Sequence, residues 1–346
     1  MPDTQNGLVR AYTDRSDSVV EVFKEYSDLA NSQLHALWFP DEIQVDKDKQ
    51  CILTEMTPAE RHGVITALKL FTMYEVRAGK DYWADRFLQI AKGPEFDRMG
   101  AVFSMVERSI HKPFYQKLND VLGLDTDEFY NSYVDTPVLK ARMEFIGEVL
   151  NHPNDLVSLG GFSMVEGAIL YSTFGYLKHF NANGKNKMKT VGSGINFSVA
   201  DESLHQQAGA KYFRHLTSDA TQDGVYEHMF GDRAEVKATL EKMARTIYEH
   251  EAEIIDMLFE KGDLDSLTPG ELRVFVQSRL NICLMDLGLD SIFEITEGSN
   301  TIADWFYDNI NGYQSVDFFS QTGNQYTRKW NEEDFEFKAF EEKEPA

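Results

Sequence analysis

Cysteine is nearly missing from this chain: only Cys51 and Cys283 occur among its 346 residues. Two thiols cannot make a disulfide framework at this length, so a reducing compartment, the cytoplasm, is expected (the host's cytoplasm for a viral chain). Basic charge is also scarce. Lysine and arginine together number 34 against 57 aspartates and glutamates, a formal net charge of −23. Nucleic acid and anionic membranes are held by basic surfaces, so neither is expected as a partner. No run of about 18 apolar residues is present, so no membrane span is expected. Residues 1–20 lack the basic start and apolar stretch of a secretory leader. Alternating β-branched runs are few, which leaves little from which to build a sheet.

What is present is ordinary globular material, 42% apolar and 26% charged. "TPAE" (57–60) sets Thr57, Pro58 and Glu60 as a capping box that opens a helix, and apolar residues Val64, Leu68, Phe71 and Val76 follow at helical spacing to about residue 91. "KGPEF" (92–96) starts a second helix that runs to about Leu122. After the break at "NHPND" (151–155) a third spans about 156–181, and a fourth about 190–216. A fifth covers about 233–261, and "TPGE" (268–271) repeats the capping box. Such lengths exceed the usual 10–14 residues without a sustained heptad, so the expected fold is an all-α bundle of long helices. Residues 1–35 are expected to be partly irregular, and 1–329 to form one domain. The end, "WNEEDFEFKAFEEKEPA" (330–346), is acidic and reads as a flexible tail, with Phe335, Phe337 and Phe340 as docking anchors.

Chemistry concentrates in four helices. "VADESLHQQAGAKYF" (199–213) carries Asp201, Glu202 and His205; residues three apart share a helix face, and if that face is buried the carboxylate needs a partner or a metal. On its own, one such pair most often means a surface or structural contact. "FSMVERSIHKPFY" (103–115) supplies a second pair, Glu107 and His111. Glu166 stands alone in the apolar stretch "GGFSMVEGAILYSTF", and Glu75 in "LKLFTMYEVRAGKDYW". Four glutamates and two histidines from four helices match the carboxylate-bridged dinuclear site of ferritin-like bundles, whose oxygen and nitrogen donors suit Fe or Mn.

In this order the residues resemble the small, radical-generating subunit of class I ribonucleotide reductase, over about residue 36 to the end. "LWFPDE" is similar to that family's tryptophan segment, placing Trp38 on its electron route. The resemblance implies two Fe or Mn ions per chain, held by Glu75, Glu107, His111, Glu166, Glu202 and His205. It implies a radical at Tyr115, four residues after His111. Asp201 would link His111 to Trp38, and Phe174 would wall the radical pocket, with Leu170 in place of another aromatic. A homodimer and a separate large subunit, docked by the tail, are the implied partners; that subunit reduces ribonucleotides. Neither cysteine is expected near the metal constellation.

Two departures stand out. The family's first pair is E-x-x-H, but three residues before His111 stands Arg108. Either Glu107 is the ligand, its i, i+4 spacing adjusted by a single π-bulge, or Arg108 replaces the carboxylate. We read Glu107 as the ligand, because a cation there would repel both ions. The tail also has no tyrosine after Tyr326, so the residue passing the radical to the partner is not assigned. The rival readings are another ferritin-like dimetal oxidase or monooxygenase, and an iron-storage or structural bundle.

Overall fold

The computed structural model of the chain describes residues 12–218 and 225–314. Helices dominate it, and the isolated bridge Leu264–Leu267 is the only β pairing among the described residues. The first helix, α1 (Lys24–His35), lies within the segment expected to be partly irregular. Short 3-10 turns at Pro40–Glu42 and Val45–Asp48 then carry the chain through the expected loop.

Two long rods follow. The first begins at α2 (Pro58–Val76), where Glu60 N–H donates to Thr57 Oγ1 at 3.2 Å and Thr57 N–H to Glu60 Oε2 at 2.8 Å, the capping box read from the sequence. It continues without interruption through a π-helical stretch, Arg77–Arg86, into α3 (Phe87–Ile90). The second rod is α4 (Pro94–Val106), a π-helical turn at Glu107–His111, and α5 (Lys112–Val121). In that turn the N–H of Lys112 reaches back five residues to the Glu107 carbonyl. Pro113 gives a local cause: it has no N–H to donate, and its ring would press on the Ser109 carbonyl in a regular α-helix. Widening the turn relieves that contact.

Residues 123–150, where the sequence suggested no element, form α6 (Asp127–Val134) and α7 (Pro137–Leu150). The expected third helix is not continuous. It divides into α8 (Asp155–Ala168) and α9 (Tyr171–His179), because Ile169 is extended and Leu170 is left-handed at φ 75°. No glycine or proline marks the break itself, which is why helical spacing ran through it. The 155–179 span has the length and apolarity of a membrane helix, yet its most apolar 18-residue window is wholly buried within the fold.

Helix α10 (Lys189–Ser218) is a single 30-residue element that packs along α8. Helices α11 (Val225–Phe230), α12 (Arg233–Leu258), α13 (Pro269–Asp286) and α14 (Thr301–Gln314) complete the described chain. α12 and α13 cover the outer side of α8, and α9 packs on α13 and α2. The described residues up to Ile310 form one compact unit. The acidic tail, 330–346, which starts at Trp330, lies outside the described residues, as does Tyr326 before it.

Candidate metal centre

The two rods, α8 and α10 enclose a core of aliphatic and aromatic side chains, and among its buried polar side chains are four glutamates and two histidines. Glu75, Glu107, His111 and His205 are fully buried, and Glu166 and Glu202 are each 1% exposed. An isolated carboxylate at such a place costs several kcal/mol, roughly, unless it is protonated, paired or bound to a cation. Here the six converge. Ligand atoms of Glu75, Glu107, His111 and Glu202 lie within 4.8 Å of one another, and so do those of Glu107, Glu166, Glu202 and His205. Glu107 and Glu202 belong to both groups, which is the arrangement of two adjacent cation positions with two shared carboxylates.

The donor atoms face a common interior. Nδ1 of His111 is 3.2 Å from Glu107 Oε2, 3.4 Å from Glu202 Oε1 and 3.5 Å from Glu75 Oε2. Nδ1 of His205 is 2.7 Å from Glu107 Oε1, but the angle is wrong for a hydrogen bond. Both oxygens of Glu75 and of Glu202 also lack hydrogen-bond partners, as do Glu107 Oε1 and both ring nitrogens of His205. Buried polar atoms are nearly always satisfied. A cluster of them left open, with one ligand atom from each residue gathered in two overlapping groups, fits a cation pair. Four carboxylates would balance two divalent ions, and hard oxygen with imidazole nitrogen suits Fe or Mn.

Without ions, protons must hold the cluster together. Burial and the neighbouring Glu107 push Glu75 well above the usual carboxyl range, and burial and Glu202 do the same to Glu166. Burial and Glu107 raise Glu202 to about 8. Burial pushes Glu107 up as well, but the adjacent His111 overrides it and holds that carboxyl well below its usual range. Burial disfavours charge on His111, yet Glu107 and Asp201 raise it well above an ordinary imidazole. A cation would replace these protons, as metal binding generally does.

The π-turn bears on the spacing of the first pair. It places Glu107 and His111 in the cluster, while Arg108 is exposed. Arg108 lines a cavity of about 660 Å³ on the outer face of the rods, with Val76, Lys80 and Lys112, and none of the six cluster residues lines it.

Asp201 stands one step out. Its Oδ2 accepts from His111 Nε2 at 3.0 Å and from Trp38 Nε1 at 2.8 Å, and its Oδ1 from Gln33 Nε2 at 2.7 Å. With Nε2–H given to Asp201, the Nδ1 of His111 is left toward the carboxylates. Gln33, on α1, was not evident from the sequence, because a lone glutamine carries no motif. Nor were the two residues that hold Glu166: Trp83 Nε1 donates to its Oε1 at 2.8 Å, and Tyr74 O–H to its Oε2 at 3.2 Å.

Tyr115 is fully buried. Its ring stacks on Phe71 with centroids 4.0 Å apart, and Phe71 in turn packs on Phe174 at 5.3 Å. Phe174 therefore reaches Tyr115 through Phe71. Ser198 is close to the phenol, but no hydrogen bond of good geometry forms. Burial and Glu75 raise the phenol well above its usual pKa. One expectation is corrected: Cys283 is not remote. It packs behind Gly167, next to Glu166 in the chain, because α13 lies against α8. Neither ligand group includes a cysteine.

Comparison with known proteins places this geometry. The family model described as ribonucleotide reductase, small chain, matches residues 22–301. A probable ribonucleoside-diphosphate reductase small subunit of Invertebrate iridescent virus 3 is 25% identical over 315 residues, covering 85% of this chain and 79% of the viral one. Among solved structures, a putative class I ribonucleotide reductase from Bacillus halodurans superposes with a TM-score of 0.71 at 18% identity, covering 82% of this chain and 100% of that one. The dimanganese(II) NrdF of Streptococcus sanguinis gives 0.70 at 17% identity, covering 85% and 98%.

Proposed function

This chain belongs to the ribonucleotide reductase small-chain family, and from that premise we propose that it is the radical-generating small subunit of a ribonucleoside-diphosphate reductase. Glu75, Glu107, His111, Glu166, Glu202 and His205 hold two Fe or Mn ions. Once bound, the ions supply the oxidising equivalents, drawn from oxygen or a reduced form of it, that convert Tyr115 to a radical. The observation that carries this reading is the set of open, inward-facing ligand atoms in a dry core beside a phenol without a hydrogen bond of good geometry.

The protein's own part is to position and exclude. Burial and Glu75 keep Tyr115 protonated at neutral pH. Phe71 and Phe174 keep water and reductants from the ring. Trp38, Asp201 and His111, joined by hydrogen bonds, form the route by which the radical equivalent leaves. The partner is the large subunit that reduces ribonucleotides, docked through the acidic tail, and the small subunit acts as a homodimer in the cytoplasm.

A dimetal oxidase acting on its own organic substrate would need neither Tyr115 nor the hydrogen-bonded Trp38–Asp201–His111 chain in these places. The test is spectroscopic. Protein loaded with iron or manganese and exposed to oxygen, or to a reduced form of it, is expected to show a tyrosyl EPR signal that is lost in Tyr115→Phe. A signal that persists unchanged in that variant removes Tyr115 from the reading.

A further inference from the structure

The break between α8 and α9 falls two residues after Glu166. Ile169 is extended and Leu170 is held at φ 75°. For a non-glycine residue the left-handed region is sterically disfavoured. The break also ends the helical ladder, which leaves the last carbonyls of α8 without their usual partners. Something must satisfy them, since every residue from Leu156 to Ala168 is buried.

Arg279 does so. It comes from α13 and is 5% exposed. Its Nε and Nη2 both donate to the Gly167 carbonyl, at 3.1 and 3.0 Å. Its Nη1 donates to the hydroxyl of Tyr307 on α14 at 3.2 Å, and its guanidinium lies 4.2 Å from the centre of the Tyr171 ring, the first residue of α9. No ion pair of Arg279 with a carboxylate is seen among the described residues. A buried cation is normally matched by a carboxylate. This one is matched instead by a backbone carbonyl and an aromatic face, both at the break. Cys283, one turn further along α13, seats against the same glycine: a β-carbon at position 167 would lie 2.5 Å from its sulfur. Gly167 is thus fixed from one face of α13 by a two-point charged clamp and a close steric contact.

We propose that Arg279 is a positioning residue for Glu166: it latches the broken helix in the bend that presents this carboxylate to the cluster. The proposal rests on the reading of the cluster as a dimetal site. Glu166 belongs to the ligand group that contains His205 and not to the group that contains His111. Loss of the latch therefore acts on one cation position. General loss of stability would act on both.

The experiment is manganese(II) titration of the full chain, counting ions bound by equilibrium dialysis and locating them by anomalous scattering in crystals grown at limiting manganese. Wild type is expected to fill both positions. Arg279→Met is expected to weaken the position beside His205 about 10- to 100-fold, the usual effect of removing a partner that orients a ligand, with the His111 position changed less than threefold. Arg279→Lys keeps a buried cation with one donor in place of the fork, and is expected to fall between the two. Equal occupancy of both positions in Arg279→Met, or an equal loss from both, overturns the latch. In the case that Arg279→Met does not fold, an Arg279→Lys chain with wild-type occupancy at both positions overturns it too. A wild-type chain that binds no ion pair removes the dimetal reading itself, and the latch with it.

Discussion

Glu107 and Arg108 are chain neighbours with opposite surroundings. One is wholly buried and the other is exposed on the outer cavity. The expected outcome follows from that. Glu107→Ala removes an oxygen donor shared by both positions and is expected to abolish stable binding of the ion pair, while Arg108→Ala leaves two ions per chain. Metal analysis after gel filtration measures both. An Arg108→Ala chain that loses its metal would restore the alternative ligand reading. Most of the site was legible at this scale, because an acidic residue inside an apolar helical stretch, as at Glu166, has no comfortable structural explanation. The residues that hold the ligands were not legible. Trp83, Tyr74 and Phe71 look like ordinary core aromatics in sequence, and only the fold brings them to Glu166 and Tyr115.

At the scale of elements, the two π-helical stretches lie against each other, and Gly79 permits that approach. A β-carbon there would lie 2.6 Å from Arg108 Cγ and 2.8 Å from Glu107 Cβ. Gly79→Ala is expected to destabilise the chain by about 1–3 kcal/mol, as overpacked cores do, and to weaken metal binding by moving Glu107. Gly147→Ala is the control. It is helical and nothing stands within 4 Å of the added carbon, so it is expected to be neutral or stabilising by up to about 1 kcal/mol. Thermal denaturation with and without manganese separates the two; equal behaviour would contradict the account of the paired π-stretches. The starts of α2 and α13 were readable from Thr57, Pro58 and Glu60, and from Thr268 and Glu271, because capping chemistry is local. The interruption at Ile169–Leu170 was not, because the side chain that meets it, Arg279, lies more than a hundred residues away.

At the scale of the molecule, α14 is tied to the core by a buried cation besides Arg279. Lys178, 3% exposed, donates to the Phe306 carbonyl at 2.6 Å and lies 4.1 Å from the centre of that ring. Burial pushes it down from 10.5 to about 7. Between those values the unfolded chain binds a proton that the folded chain does not, so stability on this account rises as pH rises from about 7 to 10.5. Lys178→Met is expected to flatten that rise, by ~3–5 kcal/mol at full linkage. Chemical denaturation of the variant and of wild type at several pH values checks it, and parallel pH curves would contradict it.

The central claim is that six side chains from four helical segments grip two cations beside Tyr115. Its most direct test is an anomalous-difference map of crystals of the iron- or manganese-loaded protein. Two peaks are expected, one beside His111 and one beside His205, with Glu107 and Glu202 reaching both. A map without peaks there, or with Arg108 turned inward in place of Glu107, would contradict it.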